Sequence, residues 1–189
     1  MTRQQEYFIE SCFINDIQMV KTLVKNKVNV SGQNYWGHRI CATRGFLELL
    51  TFLYQVDSNH KEISKSGILA WAAASQQYDV VKLIISSSDE YKNSSSALQW
   101  VAAKGDVEMM IMLITYCEKL DWIFVSAARN GHVPMIEFLL DNGIENLDSQ
   151  FNLTFNNAIL SYKKKVADLL LNRGVVVESQ IEKDIWRMY

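Results

Sequence analysis

Apolar residues recur along this chain in one phrase. After a turn residue the order runs x, h, x, h, h, x, h, h, h, where h is apolar. The clearest copy follows Gly131 and fills the h positions with Val133, Met135, Ile136, Phe138, Leu139 and Leu140. Six copies follow Asn15, Gly45, Gln76, Gly105, Gly131 and Tyr162, at spacings of 30, 31, 29, 26 and 31 residues. Of the 36 apolar positions so defined, only Thr22 and Lys164 are filled otherwise, although hydrophobic residues make up just 49% of the chain. The intervening columns are mainly polar, as at Gln18, Glu48, Asp79 and Glu108, or at Lys21, Lys82, Glu137 and Asp168. This periodicity predicts a helix with a broad buried face and a narrow wet stripe.

Small residues precede each turn: Ser11-Cys12, Cys41-Ala42, Ala72-Ala73, Val101-Ala102, Ala127-Ala128 and Ala158-Ile159. They let a short first helix approach its neighbours closely, because interiors tolerate little surplus volume. A glycine at the turn leaves that helix at low steric cost. Pro134 falls where the second helix starts, a position that tolerates a missing N–H. Each unit is therefore expected to be a short helix, a tight turn and a longer helix, with roughly ten residues leading to the next. The most polar stretch, "ISSSDEYKNSSSA" at 85–97, reads as a flexible loop.

"AARNGHVPMIEFLLDNG" at 127–143 resembles the Ala-Ala-x-x-Gly-His, apolar helix and glycine of ankyrin repeats. "ILAWAAA" and "ALQWVAAKGD" resemble that family's Thr-Pro-Leu-His-x-Ala-Ala opening, and "NKVNVSGQNYWGH" its linker and finger. The resemblance covers residues 6–174 and implies an all-α ankyrin-repeat solenoid of about six helix-turn-helix units with short or degenerate β-hairpin fingers. One array over 1–189 is expected, with repeats near 6–34, 35–65, 66–94, 95–120, 121–150 and 151–175. A capping helix near 177–189 would place Ile181, Ile185 and Met188 over the last repeat, since arrays need polar outer ends. The departures are specific. Thr-Pro-Leu-His is intact in no copy, the turn glycine is replaced at Asn15, Gln76 and Tyr162, and the 26-residue spacing leaves "YCEKLDW" too short for a full finger. A tetratricopeptide array, with its longer period and equal helices, fits worse.

Charge and composition narrow the function. A net charge of −2 argues against a nucleic-acid binder. The sequence holds no apolar run of transmembrane length and opens without a signal-peptide core, so no membrane partner and a cytoplasmic location are expected. Three cysteines, an odd number, read as reduced thiols. Cys12 and Cys41 occupy the small-residue columns, where packing explains them, and Cys117 in the shortened connector is expected to be more exposed. His38, His60 and His132 fall in different units without metal-ligand spacing, and His132 fills the family's Gly-His pair as a structural residue. Glycines are scattered rather than gathered into a phosphate loop, and Lys163 to Lys165 read as a solvated helix start. The expectation is a non-enzyme without cofactor or metal.

In proteins with this resemblance, partners dock on finger tips and on the two residues before the turn. That column holds Arg44, Ser75, Lys104, Arg129 and Asn130 and no acidic residue. It implies a mildly basic groove for a protein partner with an acidic patch. Tyr35 and Trp36 in the first finger and Trp122 at the shortened one add aromatic anchors. Trp36 could equally serve local packing. Trp71 and Trp100, in equivalent slots before the alanine pairs, are expected to stack in the core. Phe13 and Ile14 could be covered by the N-terminal residues or by a partner. The leading expectation is a monomeric protein-binding module. A pathogen- or virus-encoded effector that sequesters a host protein is one alternative. A self-assembling subunit, suggested by the apolar end columns Phe13-Ile14 and Ile159-Leu160, is another.

Overall fold

A computed structural model describes residues 2–92, 94–117, 122–143, 148–161 and 163–174, without side chains at 148–152. The expected capping helix at 177–189 lies outside them. Within the described residues the secondary structure is helical, with no strand. Two compact units meet in sequence at Ala97 and Leu98. The first holds α1 (Arg3–Phe13), α2 (Ile17–Lys25), α3 (Gly32–Arg44), α4 (Leu47–Val56), α5 (His60–Lys65), α6 (Ile68–Ala74) and α7 (Tyr78–Ser87). The boundary falls inside α8 (Ser95–Lys104). The second unit continues with α9 (Val107–Ile114), α10 (Ile123–Asn130), α11 (Val133–Asp141), α12 (Asp148–Leu160) and α13 (Lys164–Asn172).

Every second helix begins two residues after its turn residue, at Ile17, Leu47, Tyr78, Val107, Val133 and Lys164. The turns share one hydrogen-bond scheme. The residue after the turn position donates its N–H back into the first helix: Asp16 to Ser11, Phe46 to Cys41, Gln77 to Ala72, Asp106 to Val101, His132 to Ala127 and Lys163 to Ala158. This 2.8–3.2 Å bond satisfies a helix-terminal carbonyl and needs a left-handed residue at the corner. Gly45, Gly105 and Gly131 supply it at no steric cost, while Asn15 (φ 60°) and Gln76 (φ 56°) adopt it with a side chain. The repeat geometry thus outlasts the loss of its glycine. Asp16 and Asp106 then cap the second helices by accepting from the N–H of Met19 and Met109.

Only part of the apolar phrase is core. In five of the six second helices the same three positions are buried, as at Leu49, Leu50 and Leu53, at Val80, Val81 and Ile84, or at Met109, Met110 and Leu113, and α4 buries Tyr54 as well. Each such side chain contributes about 1.5–3 kcal/mol on burial. Most of the flanking apolar positions lie toward the rim, and Leu47 is 40% exposed. On the first helices the small pairs Cys41-Ala42, Ala72-Ala73 and Ala127-Ala128 are buried, and neighbouring first helices pack side by side: α3 between α1 and α6 in one unit, α10 against α12 in the other. Pro134 lies in the first turn of α11, as its sequence position requires.

The connectors differ from the expected β-hairpin fingers. α5 occupies the link between α4 and α6, and a 3-10 turn at Asp89–Tyr91 interrupts the polar stretch read as a loop. Tyr91 is the reason: its side chain is buried, which fixes the turn to the unit. Before α3 proper, Gln33, Asn34 and Tyr35 form a left-handed turn with φ between 54° and 57°. That turn drives Tyr35 inward.

Candidate functional site

The residues before each turn end the first helices and face solvent to different degrees. Arg44, Lys104, Arg129 and Asn130 are exposed and Ser75 is half-buried. Arg44 and Ser75 belong to the first unit, and Lys104, Arg129 and Asn130 to the second. Trp122 is 51% exposed and caps the start of α10 from a left-handed conformation. Tyr35 is a correction. It is buried, with its ring edge-on to His38 at 5.2 Å, so it presents no aromatic face to a partner.

Within the first unit the sequence-predicted Trp36 and Arg44 come together with residues that the sequence reading placed elsewhere. Trp36 sits on α3 one turn before Arg39, whose guanidinium carbon lies 4.8 Å from the Trp36 ring centroid. The ring centroid of Trp71 on α6 lies at the same distance from it. The guanidinium thus contacts two indoles, an environment that favours a weakly hydrated planar cation. Arg44 lies over the Phe13 ring at 3.7 Å, extending the row onto α1. Between these side chains, with Ile40 and Thr43 of α3, is a groove of about 270 Å³. Among the described residues, neither Arg39 nor Arg44 has an ion-pair partner. The Arg39 Nε is buried without a hydrogen-bond acceptor.

Trp71 and Trp100 are therefore a second correction. They are 43% and 54% exposed and do not stack in the core. The neighbouring positions Ala70, Ala72 and Ala73 of α6 turn inward, which leaves position 71 on the outer side of the row. The signal that could have found the groove was Arg39, three residues beyond Trp36 and so on the same helix face.

The remaining chemistry is internal. His38, Tyr54, His60 and Tyr91 form a ring cluster in the first unit, with the His60 Nδ1 and the Tyr91 hydroxyl 3.0 Å apart and Tyr91 donating to Tyr54 at 3.3 Å. His38 is fully buried and neither ring nitrogen makes a hydrogen bond of good geometry. Burial holds its pKa down to about 4, against an opposing pull from the Asp57 carboxylate. The phenols of Tyr54 and Tyr91 are pushed up, again chiefly by burial. His132 bridges a turn instead. Its Nε2 lies 2.8 Å from the Ala103 carbonyl, and its ring covers Gly105 so closely that a Cβ there would fall 2.5 Å from Nδ1. Cys117 is buried rather than exposed, and burial pushes its thiol up to about 11. Cys12 and Cys41 are buried as well. Among the described residues there is no group of three metal-ligating side chains, and no helix long and apolar enough to cross a membrane.

Residues 69–150 match the family model for ankyrin repeats, in 3 copies. No curated protein matches the chain.

Proposed function

We propose that this chain, whose residues 69–150 match the family model for ankyrin repeats, a family that generally mediates protein–protein interaction, is a non-catalytic module that binds a protein partner bearing an acidic patch. The contact residues are Arg44, Ser75, Lys104, Arg129 and Asn130 at the ends of the first helices, with Trp36 and Trp122 as aromatic anchors. The observation that carries this reading is the exposure of Arg44 in the first unit and of Lys104 and Arg129 in the second, each within two residues before a turn and with no acid at those positions. Such charges steer encounter and select partners more than they add affinity. Affinity capture with mass spectrometry tests it. A partner retained by the full chain is expected to be lost, or its capture sharply reduced, when Arg44, Lys104 and Arg129 are all changed to alanine. Undiminished capture by that variant, shown folded by circular dichroism, overturns the basic-column reading.

A self-assembling subunit is a second reading, favoured by the exposure of Phe13, Ile14 and Leu160 at 50%, 70% and 78%. Light scattering at micromolar concentration separates the two. A monomer leaves the partner-binding reading, and a concentration-dependent oligomer that Ile14→Ser or Leu160→Ser abolishes favours assembly.

A further inference from the structure

The row of Trp36, Arg39, Trp71, Phe13 and Arg44 has a property that its exposed cations alone would not give it. Arg39 is held by two cation–π contacts: the centroids of the Trp36 and Trp71 rings each lie 4.8 Å from its guanidinium carbon. Cation–π contact consumes none of the guanidinium's N–H donors. The Nε donor is buried and unanswered within the protein, and no acidic side chain lines the groove. A buried donor without an acceptor costs free energy in the unbound state, and that cost is recovered when an acceptor arrives. Arg44, held over Phe13, supplies a second cation on the same groove.

Shape restricts the occupant further. The groove, at about 270 Å³, lies below the usual range of pockets for whole small molecules, and its walls are predominantly ring and aliphatic carbon. It has room for one or two side chains. The chemistry that matches both features is a carboxylate placed against the guanidinium, with a bulky apolar side chain beside it.

Resting on the partner-binding reading, we propose that this groove of the first unit is a docking site for a protein segment in which an Asp or Glu side chain neighbours a large apolar residue. The carboxylate accepts from Arg39, with Arg44 adding charge, and the apolar neighbour packs between Trp36, Trp71 and Phe13. Contact with the two rings spares the complex side-chain ordering that a free arginine requires, and the rings exclude water from the ion pair.

Selection of random peptides displayed on phage, against the immobilised full chain, tests the proposal. The selected peptides are expected to share an Asp or Glu adjacent to Leu, Ile, Phe or Trp. Arg39→Gln is expected to weaken their binding about tenfold or more, as loss of one side of a hydrogen-bonded charge pair does. Arg39→Lys should recover only part of this, because an ammonium keeps the charge without the planar fork. In wild-type protein labelled with nitrogen-15, the Arg39 Nε–H resonance should shift as a selected peptide is added, a readout that does not depend on any variant folding. Selected peptides without acidic residues, or acidic peptides that leave the Arg39 resonance unmoved, overturn the groove assignment. If acidic peptides bind and are lost on combined Lys104→Gln and Arg129→Gln substitution while Arg39→Gln leaves them bound, the groove assignment fails and the broader protein-binding reading survives. Failure to select any peptide counts against the groove, whereas the broader reading is judged by the capture experiment.

Discussion

Acidification is expected to destabilise the first unit through one side chain, His38. Its ring is fully buried, and its pKa is held to about 4 by burial, with the neighbouring His60 pushing the same way and the Asp57 carboxylate and the Leu53 backbone opposing. In the unfolded chain the ring returns to a value near 6.5. The unfolded state therefore binds a proton that the folded state refuses, and stability rises with pH between those values. The contribution is complete above about pH 6.5 and is lost progressively as pH falls toward 4. The full shift corresponds to about 3 kcal/mol, of which about 2 kcal/mol disappears between roughly pH 7 and pH 5. Urea unfolding followed by circular dichroism at three pH values in that window measures it. The comparison is with His38→Leu, which keeps comparable volume and cannot titrate. His60, His132 and the carboxylates remain in both proteins, so the difference between the two pH slopes isolates His38. Equal pH dependence in wild type and variant would refute the reasoning and show that the buried ring is compensated in a way the geometry does not contain.

Three further outcomes follow from the packing. Gly105→Ala and Gly143→Ala both place a Cβ on a left-handed residue, with φ of 73° and 62°, but only the first drives it into the His132 ring; Gly143→Ala should cost about 1 kcal/mol and Gly105→Ala about 2–3 kcal/mol in urea unfolding. Tyr91→Phe removes the hydroxyl that meets both His60 and Tyr54 and should lower stability by about 1–2 kcal/mol, measurable as a reduced thermal midpoint. Cys12, Cys41 and Cys117 are all buried, so an aromatic disulfide reagent should label none of them rapidly in the folded protein and all three on unfolding; fast native labelling of Cys117 would show that its connector opens.

The hairpins of helices were legible because their physics is local and repeated. A turn residue followed two positions later by an apolar phrase fixes where each second helix starts, and the structure starts them there even at Asn15 and Gln76, where the glycine is gone. The phrase overstated the core, since most apolar residues flanking the buried positions, such as Leu47, sit at the rim. The connectors were read poorly because their structure depends on contacts made at a distance: Tyr91 turns a serine-rich stretch into an anchored 3-10 turn, and a left-handed run at Gln33, Asn34 and Tyr35 buries the tyrosine. The groove was half visible. Trp36 and Arg44 could be named from their register, but the second indole contact of Arg39 requires Trp71 to face outward, and the equivalence of Trp71 to Trp100 before an alanine pair suggested the opposite. Periodicity assigns a residue to a helix more securely than to a face when the helix is only seven residues long, as α6 is.

Hydrogen-exchange mapping of the full chain, free and bound to a captured protein partner, tests most directly the claim that partner contact falls on the ends of the first helices. Protection is expected over the Trp36–Arg44 stretch of α3 and at the ends of α6, α8 and α10, around Ser75, Lys104 and Arg129. Protection confined to the second helices α4, α7 and α11, with those first-helix segments unchanged, would contradict it.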